Sequence, residues 1–101
     1  MSKEQIKQAI REAIKTDPNK DAILKVSLFG SYAYGNPNSQ SNIDLLIEFN
    51  SGATVGFFKL ARIQRHLSES IGKKVDLLTP QAISKYFRDE VITKAEQIYE
   101  K

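Results

Sequence analysis

The 101-residue sequence predicts an α+β fold: a small mixed sheet flanked by helices in a two-layer arrangement. Three features predict it. Segments with apolar residues at helical spacing alternate with shorter segments rich in β-branched and apolar residues. The helical segments would cover a small sheet. The strands do not all follow full-length crossover helices, so the sheet should mix parallel and antiparallel pairs.

The elements follow in order. Ser2-Lys3-Glu4-Gln5 reads as a capping box that opens a helix, and Ile6, Ala9, Ile10, Ala13 and Ile14 form its apolar stripe. Asp17-Pro18-Asn19 stops that helix. Residues 23–29 are apolar and rich in β-branched side chains, as in a buried strand. Gly30-Ser31 makes a sharp exit, and Tyr32-Ala33-Tyr34 begins a short helix. Residues 35–41 are a loop by composition. Residues 43–49 are the clearest strand, followed by a turn at Asn50-Ser51-Gly52. Phe57, Leu60, Ala61, Gln64, Leu67 and Ile71 share one face of a second long helix that Gly72 ends. Residues 74–78 form a third strand. Thr79-Pro80 opens a final helical region carrying Ile83, Phe87, Val91, Ala95 and Ile98 near four-residue spacing.

Composition limits the function classes. With 41% hydrophobic and 27% charged residues the chain should fold, as one domain over residues 1–101. A net charge of +3 is too mild to argue for nucleic acid, and direct binding of it is not expected. Absence of cysteine removes disulfides and thiolate metal sites and fits a cytoplasmic protein. The N-terminus has no apolar signal core, and no segment approaches the ~20 apolar residues of a membrane helix. No Lys or Arg occurs from Val26 through Phe58, so a phosphate bound there would need backbone N–H groups, a metal or distant side chains.

Strand alternation places the chemistry. Ile43, Leu45, Ile47 and Phe49 share a core face, and Asn42, Asp44, Leu46 and Glu48 share the other. Glu48 stands ~13 Å along the strand from Asp44 and reads as a solvated or ion-paired residue. In the third strand Asp76 opposes Val75 and Leu77. If the two strands pair, Asp76 comes beside Asp44, and two carboxylates facing one way suit Mg²⁺ with a substrate phosphate. Glycine at position 30 would let backbone approach that phosphate, and the Ser31 hydroxyl would add a donor.

Gly30-Ser31, then Ser41-Asn42-Ile43-Asp44-Leu45-Leu46, then Lys74-Val75-Asp76-Leu77-Leu78, resembles the minimal nucleotidyltransferases (MNT) of the DNA polymerase β-like superfamily. The resemblance runs from about Val26 to the C-terminus. It implies that Gly30 and Ser31 hold the phosphates of ATP. It implies that Asp44 is a metal-binding catalytic carboxylate and that Asp76 is a third carboxylate, which helps bind Mg²⁺ and activates the attacking hydroxyl. Members are often antitoxins encoded beside HEPN-type RNase toxins, and some transfer AMP to a toxin tyrosine. The sequence departs from the pattern at Asn42, where the first aspartate of Asp-x-Asp is expected, and at Tyr34, where many members carry arginine. Asn42 implies a catalytic site weakened or abolished by one lost charge. The alternative is an antitoxin that neutralises its partner by binding alone, through exposed apolar residues on the last helix such as Tyr86, Phe87, Ile98 and Tyr99. Oligomers are compatible with either reading. Tyr32 and Tyr34 are equally compatible with base stacking, core packing and partner contact. Lys73 and Lys74 read as a solvated strand entry within possible reach of phosphate, and His66 reads as a surface residue.

Overall fold

The computed structural model describes residues 2–38 and 40–101; Ser39, inside the expected loop, lies outside the described residues. Helix α1 (Lys3–Lys15) begins as its capping box requires. Ser2 accepts from the Gln5 backbone N–H at 3.1 Å, and Gln5 Oε1 accepts from the Ser2 N–H at 2.8 Å. Ile6, Ile10, Ala13 and Ile14 are its buried face.

Strand β1 (Ile23–Phe29) runs into the one-turn helix α2 (Ser31–Tyr34), and β2 (Ile43–Phe49) follows the loop. Helix α3 (Phe57–Ile71) crosses to β3 (Val75–Leu78), after which come a 3₁₀ turn at Pro80–Ala82, helix α4 (Arg88–Lys94) and strand β4 (Glu96–Glu100). The sheet order is β3-β2-β1-β4. β2 and β3 are parallel, joined through α3, while β1 is antiparallel to both β2 and β4. The mixed sheet expected from the connection lengths is therefore present.

One apolar cluster unites α1, α3 and a single face of the sheet. Ile6, Ile10 and Ile14 of α1 and Ile63 and Leu67 of α3 meet Val26, Leu28, Ile43, Leu45, Ile47, Val75 and Leu77. The other sheet face, with its own period of two, carries Asn42, Asp44 and Asp76. Among the described residues no helix is long and apolar enough to cross a membrane.

The C-terminal region corrects the helix expected through Ile98. Helix α4 ends at Lys94, Ala95 turns to φ −65° and ψ 140°, and the chain becomes a strand. The cause is the free edge of β1, whose N–H and C=O groups need partners. β4 supplies them from Glu96 to Glu100 and inserts Ile98, only 5% exposed, into the core. Four-residue spacing of apolar side chains did not distinguish these states. Ile98 and the half-buried Tyr99 are thus not the exposed contact residues that a helix would offer, whereas Tyr86 and Phe87 are exposed.

Two corrections concern α3. Phe57 does not join the core: it is 78% exposed and packs edge-to-face on Phe58, because the packed part of the helix starts one turn later at Leu60. His66 is not a free surface residue, since its Nε2 lies 3.0 Å from the Ala13 carbonyl and 3.1 Å from Thr16 Oγ1, joining α3 to the end of α1.

Candidate active site

The site forms where β1 ends and β2 and β3 begin. Parallel register sets Ile43 beside Val75 and Asp44 beside Asp76, anchored by the Ile43 N–H donating to the Lys74 carbonyl at 2.9 Å. On the opposite side Asp44 faces Phe29, the last residue of β1. The Asp44 carboxylate is therefore set between Asp76 and the chain as it leaves β1.

That exit is Gly30, at φ 75° and ψ −153°. Backbone there is essentially restricted to glycine and costs other residues about 1–3 kcal/mol. The space is restricted as well: a Cβ on Gly30 would collide with Asp44 Oδ2 and lie 3.0 Å from its Cγ. The glycine thus does more than the sequence suggested, because its bare Cα makes room for the Asp44 carboxylate. The Gly30 carbonyl accepts the Ala33 and Tyr34 N–H groups, each at 3.1 Å, and closes α2 directly behind the turn.

Asn42 precedes β2 and donates from Nδ2 to Asp76 Oδ2 at 3.0 Å. Where a second aspartate would repel Asp76, the amide bonds to it. Burial, and then the charge of Asp76, raise the Asp44 carboxyl above its ordinary value of 3.8. An ionised Asp44 here lacks compensating charge, and no salt bridge among the described residues involves Asp44 or Asp76. Among those residues no group of three or more His, Cys, Asp or Glu side chains is arranged to hold a metal. The charged donors are two carboxylates, Asp44 and Asp76, side by side on parallel strands. That set fits Mg²⁺, which keeps water and substrate oxygens in its shell and takes one or two protein carboxylates.

The neighbouring aromatics divide. Tyr32 is buried in the core, whereas Tyr34 is 54% exposed. Lys74 is exposed at the entry to β3. A cavity of about 260 Å³, lined by Ile47, Glu48, Phe49, Thr79, Pro80 and Gln81, lies at the far ends of β2 and β3, away from the Asp44–Asp76 pair. Glu48 lines this cavity and makes no ion pair among the described residues.

A family model described as "Polymerase beta, Nucleotidyltransferase" matches residues 8–101. The chain belongs to the polymerase beta nucleotidyltransferase family. Two Methanocaldococcus jannaschii proteins, each named "putative protein adenylyltransferase", are similar to it. MJ0435 is 36% identical over 76 residues, covering 75% of this chain and 80% of that protein. MJ1379 is 33% identical over 79 residues, covering 78% and 79%. Among solved structures, a "putative minimal nucleotidyltransferase" superposes with a TM-score of 0.74 at 29% identity over 94% of both chains. A chain of a toxin–antitoxin crystal structure with AMP-PNP gives 0.75 at 21% identity, covering 94% of this chain and 73% of that one. A chain from a complex of tri-AMPylated Shewanella oneidensis HEPN toxin with MNT antitoxin gives 0.69 at 18% identity, covering 98% and 73%. The last two likenesses establish the shared nucleotidyltransferase fold. In that family setting the Gly30 turn and the paired strands at Asp44 and Asp76 are the parts that the sequence motifs had singled out.

Proposed function

We propose that this nucleotidyltransferase is an antitoxin acting in the cytoplasm that transfers AMP from Mg-ATP to a hydroxyl, most simply a tyrosine, of a HEPN-type RNase toxin, the bond between the α- and β-phosphates breaking to release pyrophosphate. The observation that carries the reading is the Asp44–Asp76 pair, held side by side on parallel strands with Asp44 against Gly30. The adenylyltransferase names of the relatives and the AMPylated toxin in one structural neighbour support the choice of AMP and of a protein acceptor.

The residues have separable tasks. Gly30 and Ser31 would receive the phosphates through backbone N–H groups and the Ser31 hydroxyl. Asp44 and Asp76 would hold Mg²⁺, with the Asn42 amide oxygen as an available neutral ligand. When bound, the cation neutralises charge that builds on the transferring phosphoryl group. Asp76 would also accept the proton of the attacking hydroxyl. Asn42 weakens the site twice over: it supplies no charge, and its amide already engages one Asp76 oxygen.

That engagement favours a second reading, in which the fold is retained and the partner is neutralised by binding alone. The two readings separate experimentally. The chain and its Asn42→Asp variant are incubated with labelled ATP, Mg²⁺ and the protein encoded by the adjacent gene. Transfer by the wild-type chain, rising about 10-fold or more in the variant, is the expected result. Absence of label with both proteins would sink the enzymatic reading. Full neutralisation of the toxin by an Asp44→Ala, Asp76→Ala double variant would establish binding as sufficient.

A further inference from the structure

Lys3 precedes the residues that the family model matches, yet its side chain ends at the motif turn. Its Nζ donates to the Ala33 carbonyl of α2 at 2.8 Å and meets Glu96 Oε2 of β4 at 3.0 Å. Lys7 Nζ holds the other oxygen of Glu96 at 2.8 Å. Hydrogen bonds from Lys7 and then Lys3 lower the Glu96 carboxyl below its ordinary range, so the carboxylate stays charged between the two ammonium groups.

The recipient needs such support. Helix α2 is one turn, and a single turn is unstable by itself. Its hydrogen bonds run from the Ala33 and Tyr34 N–H groups to the Gly30 carbonyl, and from the Gly35 N–H to the Ser31 carbonyl. Ala33 is therefore bonded directly to Gly30, and the same turn holds Ser31 through Gly35. A cation on a carbonyl near the C-terminal end of a helical turn is favourable. Half-exposed ion pairs contribute little in water, so the bond to the Ala33 carbonyl carries the effect and Glu96 aims it.

We infer that Lys3 is a positioning residue: oriented by Glu96, its ammonium clamps α2 at Ala33 and fixes the Gly30–Ser31 turn against Asp44. Its consequence for ligand binding rests on the nucleotide pocket proposed above. The test uses the full chain with Lys3→Met, which keeps the stem and loses the donor, and Lys3→Arg, which restores it. Amide hydrogen exchange is read at Ala33, Tyr34 and Gly35, with α1, β1 and β2 as internal references. Binding of Mg²⁺ with AMP-PNP is read by calorimetry.

In Lys3→Met, exchange at the three α2 amides rises about 10-fold over the references, and the Kd for AMP-PNP rises about 3- to 10-fold. Lys3→Arg returns both towards wild type. Unchanged exchange at α2, or a uniform rise across the chain, would overturn the clamp. If the wild-type chain binds no AMP-PNP, the nucleotide reading fails, and the exchange comparison still decides the role of Lys3.

Discussion

At the scale of single residues, Asp44 is placed at a cost. Its carboxyl is raised by burial and by Asp76, so the folded chain holds that proton more tightly than the unfolded chain does. The sign follows: folding stability falls as pH rises from the ordinary value of 3.8 through the raised one, and the deficit persists at neutral pH. Asp44→Asn, measured by urea unfolding in the presence of a chelator, should raise the unfolding midpoint at neutral pH. That advantage should shrink in acid. A variant less stable than wild type at neutral pH would contradict the raised value.

Strand β4 carries the argument at the level of elements. It closes the edge of β1, and its attachment is partly ionic through Glu96 with Lys7 and Lys3. Glu96 has a lowered value, so its contribution is present above its ordinary 4.5 and is lost as pH falls below that. The gap in midpoint between wild type and Glu96→Gln should therefore be small but open at neutral pH and closed in strong acid. A gap that stays constant with pH would assign the effect to something other than charge. The strand also has a backbone role that the ion pairs do not share. The Arg11 Nε donates to the Ile98 carbonyl at 2.9 Å, and the Lys101 N–H donates to the Leu24 carbonyl at 2.8 Å.

For the molecule as a whole, α1 at one end of the chain and β4 at the other meet, and both pack on the same core. Such closure predicts a single cooperative transition, with coincident midpoints by far-UV circular dichroism and tyrosine fluorescence. Separate midpoints would mean that β4 detaches before the rest. Much of this architecture was legible. β1 and β2 occupy the spans that apolar runs indicated, β3 begins one residue later, and Asp44 stands beside Asp76 as alternation implied for two paired strands, whose parallel sense the fold supplies. What was not legible depends on contacts distant in sequence. β4 exists because β1 had an unpaired edge, which local spacing cannot encode. The Asn42–Asp76 hydrogen bond needed the register of β2 on β3, and the Lys3 contact joins residues 30 and 93 positions apart.

Gly30 and Asp44 are, finally, two halves of one steric choice. The volume that a methyl group would take at position 30 is already filled by a carboxylate from position 44. Their substitutions should therefore be strongly non-additive. Gly30→Ala alone carries both the backbone cost and the collision. In an Asp44→Gly background the collision disappears, and only the backbone cost of about 1–3 kcal/mol remains. A double-mutant cycle on unfolding midpoints separates the two parts, and strict additivity would refute the shared volume. A mutation at either position would thus change which residues the other can accept.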